Sequence, residues 1–196
     1  MIDDAFLDQA LELAREAAAA AATVIARHYR GGFAVELKAD LSPVTVADRE
    51  AEAEIKRVLK SRYPDHGYHG EELGRENTHS DFLWLIDPID GTKAFVRGYP
   101  MFSTQIALMH RGELVLGVSA AGEYGERAWA IRGGGAFIGS SSADGRRVQV
   151  SDTRDFGPLA ALSTGNLKSM ANDPVRWQAL GSLVSRVGRI RGYGDF

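Results

Sequence analysis

Apolar positions recur at helical spacing through Phe6, Ala10, Leu13, Ala14, Ala17, Ala21, Val24 and Ile25, with Asp3 and Asp4 ahead and Gly31-Gly32 behind. This pattern predicts a long amphipathic first helix, acidic at its start and ended by glycine. The alanines from Ala17 to Ala22 fit close packing on a neighbouring element. Val35 to Lys38 is a short strand candidate, and residues 40–43 form a polar, turn-rich loop. A second helix is predicted from Val46 to Arg62, with Ala51, Ile55, Val58 and Leu59 on one face and Pro64-Asp65 beyond its end. Tyr68 to Glu71 reads as a strand, residues 75–81 as a loop and Phe82 to Ile86 as a buried strand.

Pro88 cannot donate to a strand ladder, so the buried strand is expected to stop there. Thr104 to Met109 and Leu114 to Ser119 form a predicted hairpin, as do Arg127 to Arg132 and Ala136 to Gly139 around Gly133-Gly134-Gly135. The glycine triplet lacks the Lys-Ser/Thr and helix of a phosphate loop and reads as a hairpin turn. Residues 140–146 form a turn. Ala160 to Ser163 is a strand, Asn172-Asp173-Pro174 opens a helix through Trp177, Leu180, Val184 and Val187, and Arg189 to Arg191 begins another strand. Strands and helices interleave without regular alternation, which predicts a layered α+β fold. The expected boundary follows Val148, giving a domain over residues 1–148 and a second over 149–196.

Composition narrows the function. The net charge of −3 gives no field favouring a nucleic acid polymer or an anionic membrane. The absence of cysteine removes disulfides, zinc thiolates and thiol nucleophiles, and fits a reducing compartment. The acidic start Met1-Ile2-Asp3-Asp4 lacks the basic region of a signal peptide, and no apolar run is long enough to cross a bilayer, so a cytoplasmic location is expected. The five histidines show no metal-ligand spacing and fit surface or satisfied polar roles.

The chemistry concentrates in Trp84-Leu85-Ile86-Asp87-Pro88-Ile89-Asp90-Gly91-Thr92. Two carboxylates stand three residues apart at the end of an apolar strand. A glycine then permits close backbone approach, and Thr92 to Phe95 reads as a first helical turn, whose N–H groups suit an anion. Upstream lie Gly70-Glu71-Glu72 and Val44-Thr45-Val46-Ala47-Asp48. Separated acidic sites beside a phosphate-sized backbone notch suit a hard cation that binds a few carboxylates and a phosphate ester. Glu71 is the better ligand of its pair, with Glu72 behind it or solvated. Position alone makes Asp48 an acid near a helix start, favoured there by the dipole.

The three motifs, WLIDPIDGTKAF, GEE and VTVAD, with Lys38 shortly before the last, resemble those of the inositol monophosphatase-like family of Mg2+-dependent phosphatases. The resemblance runs over essentially the whole chain, and Phe95 to Pro100 is most similar to the histidinol-phosphatase branch. It implies an α/β/α/β/α sandwich of the inositol monophosphatase/fructose-1,6-bisphosphatase type, with the site between two domains. It also implies Mg2+, two or three ions in a complete site. Glu71, Asp87 and the Ile89 carbonyl would hold the first, and Asp87 and Asp90 would reach the second. The N–H groups of Gly91 and Thr92 would hold phosphate. The Thr92 hydroxyl, paired with Asp48, would orient the attacking water. Histidinol phosphate ranks first as substrate and inositol phosphate second. A homodimer is the expectation carried by relatives.

After residue 191, relatives continue with an apolar helix and a Trp-Asp element whose Asp serves the second metal. This chain instead runs Gly192-Tyr193-Gly194-Asp195-Phe196. The second domain is therefore expected to be truncated, and a non-catalytic metal- or phosphate-binding form is the alternative to an enzyme. Asp195 either meets a cationic substrate amine or belongs to a turn. The expected outcome is weak Mg2+ binding and slow or no hydrolysis by this 196-residue chain. Phosphate release by the purified chain checks it, and robust turnover would overturn it.

Overall fold

The computed structural model describes residues 2–29, 31, 35–37, 43–141, 143–165 and 167–192. Lys38, most of the 40–43 loop and Asp195 lie outside the described residues. The chain divides into two compact units, Met1–Val148 and Gln149–Asp195.

The first unit opens with helix α1 (Asp4–His28), whose N-cap Asp3 accepts from the Ala5 N–H. Strands β1 (Val35–Leu37) and β2 (Pro43–Thr45) pair antiparallel and lead into helix α2 (Val46–Lys60). Then follow β3 (Gly67–Gly70), β4 (Arg75–Glu76), β5 (Phe82–Asp90), helix α3 (Thr92–Val96), β6 (Ser103–His110), β7 (Glu113–Ala121), β8 (Glu126–Ile131), β9 (Gly135–Gly139) and β10 (Arg146–Val148). The last eight of these strands form one sheet in the order β10-β9-β8-β7-β6-β5-β3-β4. Every pair is antiparallel except β3 with β5. Strand β4, formed within the expected 75–81 loop, explains that exception. The chain leaves β3, returns antiparallel as β4, and re-enters on the other side of β3 in its own direction.

Alternation sorts the two faces of the sheet. Trp84, Ile86, Ile106, Leu108 and Val118 are buried with α1 and α2 in one core. The fully buried Ala10, Ala14, Ala17, Ala18 and Ala21 line the inner face of α1, which packs on α2, β6 and β7. Small side chains allow that approach. On the opposite face, Leu85, Ala107, Gly117, Ala130 and Ala136 fall in register across five strands. This row of mostly small residues leaves a hollow of about 620 Å³.

The second unit contains β11 (Ala161–Ser163), helix α4 (Lys168–Ala171), helix α5 (Pro174–Val184) and β12 (Arg189–Arg191), with β11 and β12 parallel. Asp173 caps α5 through the Val175 and Arg176 N–H groups, with Pro174 at its first turn. Helix α4 was not visible in the apolar periodicity, and α5 ends before Val187. Among the described residues, no helix is long and apolar enough to cross a membrane.

Two local features of the first unit bear on the site. Strand β5 does not stop at Pro88 but continues to Asp90. Asp87 pairs with Gln105 and Asp90 with Ser103, so three steps on β5 match two on β6. The extra residue makes a bulge, where a missing proline N–H is tolerated. The Thr104 hydroxyl donates to the Pro88 carbonyl at 2.9 Å. The chain then turns at Gly91, with φ +96°, where an added Cβ would lie 2.7 Å from the Met101 carbonyl oxygen. Only glycine meets both demands.

At the far end of β5, His66 stacks between Tyr63 and Phe82, with ring centroids 4.6 and 4.8 Å away. The Trp84 indole N–H donates to His66 Nδ1 at 3.1 Å, which places the neutral ring's proton on Nε2. Burial lowers the His66 pKa from 6.5, with Asp65 opposing. A histidine with a lowered folded pKa takes up its proton on unfolding, so its stabilising contribution is present above pH 6.5 and lost as pH falls through the folded value. Urea unfolding is therefore expected to show stability falling on acidification below pH 6.5, with a shallower slope in His66→Gln. An unchanged slope would remove His66 from the explanation. Gly91→Ala is expected to lower the unfolding free energy by about 1–3 kcal/mol in the same measurement.

Candidate metal and phosphate site

Parallel pairing of β3 and β5 sets the site. Parallel strands end at the same edge of a sheet, so Glu71, just past β3, and Asp87, near the end of β5, arrive together. The Glu71 N–H donates to the Ile86 carbonyl at 3.1 Å, which fixes that neighbourhood. His69 pairs in register with Leu85, and both line the hollow with Glu71 and Asp87. The two acids therefore stand at the border of an apolar concavity.

That setting is hostile to charge. Burial first, then the Glu71 and Asp90 carboxylates, push Asp87 up to about 8, while the Ile89 N–H works in the opposite direction. Glu71 is close enough to share a hydrogen bond with the Asp87 carboxyl. Asp87 Oδ1 is buried with no hydrogen-bond partner among the described residues. An unpartnered buried carboxylate oxygen among like charges is the condition a divalent cation relieves. The donor set, all carboxylate and carbonyl oxygen, suits a hard ion. Among the described residues, no three His, Asp or Glu side chains converge closely enough to form a ligand cluster on their own. Glu71, Asp87 and Asp90 interact electrically without enclosing one point. A hydrated Mg2+ needs few protein oxygens.

The turn expected to hold phosphate follows Asp90 directly in the chain. Helix α3 begins at Thr92 after Gly91, and its first intrahelical bond runs from the Ala94 N–H to the Gly91 carbonyl at 2.8 Å. The N–H groups of Gly91 and Thr92 precede that bond. The Thr92 hydroxyl has one hydrogen and two acceptors, the Ile89 carbonyl at 3.0 Å and Asp48 Oδ1 at 3.4 Å. Ile89 is the nearer.

Asp48 is buried and serves two elements. Its Oδ2 accepts from the Thr45 N–H at 2.7 Å and the Thr45 hydroxyl at 2.6 Å, completing a capping box at the start of α2. Such a cap contributes about 1 kcal/mol. The short cap bonds dominate and the longer Thr92 contact is secondary, so the helix-start role of Asp48 holds alongside the pairing with Thr92.

Periodicity missed Glu52 and Lys56. They follow Asp48 at successive intervals of four, and both are buried. Glu52 accepts from the N–H groups of Glu72 at 2.7 Å and Leu73 at 3.1 Å, and pairs with Lys56 Nζ at 3.0 Å. The signal available in sequence was a charged triple on the same helical face as apolar residues. For Glu72, the structure gives a backbone contact to Glu52.

Comparison with known proteins matches the chain to one family. The inositol monophosphatase family matches residues 7–184. A histidinol-phosphatase from Mycobacterium tuberculosis is 40% identical over 162 residues, covering 83% of this chain and 62% of that protein. A histidinol-phosphatase from Chlorobaculum parvum is 36% identical over 186 residues, covering 94% of this chain and 69% of the relative. Among solved structures, the extragenic suppressor protein suhB from Bartonella henselae superposes with a TM-score of 0.82 at 30% identity, over 94% of this chain and 70% of that one. The chain thus spans about three fifths of the length of the first two of its curated histidinol-phosphatase relatives. With the family's fold and a match over most of its length, the chain belongs to the inositol monophosphatase family.

Proposed function

We propose that this chain carries the metal- and phosphate-binding part of a Mg2+-dependent phosphomonoesterase, with histidinol phosphate as its first candidate substrate. The observation that carries the reading is Asp87, a half-buried carboxylate whose buried Oδ1 has no hydrogen-bond partner among the described residues, pressed by Glu71 and Asp90. Similarity to histidinol-phosphatases supports the substrate choice.

Glu71, Asp87 and the Ile89 carbonyl would hold one Mg2+, and Asp87 with Asp90 would reach a second. Bound Mg2+ would supply positive charge against the phosphate oxygens and acidify the attacking water. The chain's own groups do the positioning. The N–H groups of Gly91 and Thr92 precede the first intrahelical bond of α3 and would suit phosphate oxygens. When the Ile89 carbonyl is otherwise engaged, Asp48 is left as acceptor for the Thr92 hydroxyl. The Thr92 Oγ lone pairs then accept from a water and orient it toward phosphorus. Attack forms one P–O bond and breaks the ester P–O bond, releasing an alcohol and inorganic phosphate. Such transfer needs positioning and charge neutralisation more than covalent work by the protein.

The test is phosphate release from histidinol phosphate and inositol 1-phosphate in parallel, with Mg2+ or EDTA. The release expected is slow, Mg2+-dependent and faster on histidinol phosphate, and Asp90→Asn is expected to abolish it, since loss of one transition-state charge contact alone costs about 100-fold. Preference for inositol 1-phosphate would overturn the substrate assignment. Release indifferent to EDTA and to Asp90→Asn would overturn the metal mechanism. A folded chain that binds Mg2+ without turnover would favour the non-catalytic alternative.

A further inference from the structure

The loop that carries Glu71 is held from inside the protein by a charge that takes no part in the chemistry. Glu52 is fully buried on α2 and lies across the turn formed by residues 70–74. Its two carboxylate oxygens are divided between consecutive N–H groups, Oε2 to Glu72 at 2.7 Å and Oε1 to Leu73 at 3.1 Å. Lys56, one helical turn on, pairs with Glu52 Oε1 at 3.0 Å and donates to the Gly74 carbonyl at 3.4 Å. The same turn is closed by the Gly70 N–H on the Gly74 carbonyl at 3.0 Å. Glu52 and Lys56 thus satisfy both the donors and the acceptor of one loop.

Gly70 shows how deeply the carboxylate enters. A Cβ built on it would lie 1.6 Å from Glu52 Oε1. The glycine ahead of Glu71 therefore leaves room for the carboxylate below the loop. On the other side, the Glu71 N–H is bound to the Ile86 carbonyl of β5. Glu71 is consequently fixed between a strand and a buried helix charge. One turn earlier on the same helix face, Asp48 reaches Thr92. A single helix thereby registers the Glu71 loop against the Thr92 turn.

We infer that Glu52 is a positioning residue, which holds the Glu71 loop in the conformation that presents Glu71 to a divalent cation. The inference rests on the proposed role of Glu71 as a metal ligand. Groups behind a ligand commonly tune metal affinity by about 10–100-fold.

The test uses this chain with Mn2+ alone, read by electron paramagnetic resonance, at a temperature well below unfolding of every variant. Glu52→Gln is expected to weaken Mn2+ binding about tenfold. It is also expected to speed amide exchange at Glu72 and Leu73 while the α2 amides stay protected. Val115→Ala, a core truncation on β7, serves as the control. It is expected to lower stability and leave Mn2+ affinity unchanged, and any faster exchange is expected across the α2 and loop amides together, not at Glu72 and Leu73 alone. Glu71→Gln separates the two ideas. If Glu71→Gln weakens Mn2+ binding and Glu52→Gln does not, the positioning role falls and the metal reading stands. If Glu71→Gln leaves affinity unchanged, or the wild-type chain takes up no Mn2+, the metal reading falls and this inference with it.

Discussion

Three charged side chains on one face of α2 are buried, and burial obliges each to find a partner. Taking a charge out of water is costly unless hydrogen bonds and opposite charge replace the solvent. Asp48 finds Thr45 and Thr92, Glu52 finds two loop N–H groups and Lys56, and Lys56 finds Glu52, Glu76 and the Gly74 carbonyl. These partners lie on different segments: β2, the turn into α3, and the loop after β3. The need to satisfy buried charge therefore ties together segments that are far apart in sequence. The apolar positions Ala51, Ile55 and Leu59 place α2 in the core. The charged positions decide what it holds there.

Asp87 presents the opposite condition. It is half-buried, its neighbours Glu71 and Asp90 share its sign, and its buried Oδ1 has no partner among the described residues. The same rule that stabilises the α2 stripe makes this spot unfavourable for three ionised carboxylates. The bulge after Asp87 helps create it. By inserting one residue into β5, it sets Asp90 opposite Ser103 and brings Gly91 to the turn. The partial burial of Asp87 adds the desolvation that raises the cost. A cluster of like charges with an unpartnered buried oxygen is an arrangement that a cation from outside would relieve.

Much of this was legible in the order of residues. Helix α1 follows from its apolar spacing and its Asp3 cap, the β6–β7 hairpin from two apolar runs, and α5 from Asp173-Pro174. The acidic and glycine positions of the site were legible too, because a turn, a close backbone approach and an oxygen donor each require particular residue types. What escaped notice depended on contacts made at a distance. Residues 75–76 look like polar loop and become a strand only because β3 offers an edge. Pro88 looks like a strand end and is carried through by a bulge in β5 opposite β6. Glu52 looks like solvent-facing polarity, and its role exists only because the 70–74 loop folds over it.

The sequence by itself determined the amphipathic helices, the antiparallel hairpins, the turn at Gly91 and the set of oxygen donors, since each rests on local spacing or on the conformational limits of single residues. Tertiary structure alone decided that β3 and β5 run parallel, and therefore that Glu71 and Asp87 meet at one sheet edge. It also decided which buried charges are satisfied and which are opposed. Those outcomes depend on dielectric surroundings and on partners about 15 to 45 residues away, which no local pattern records.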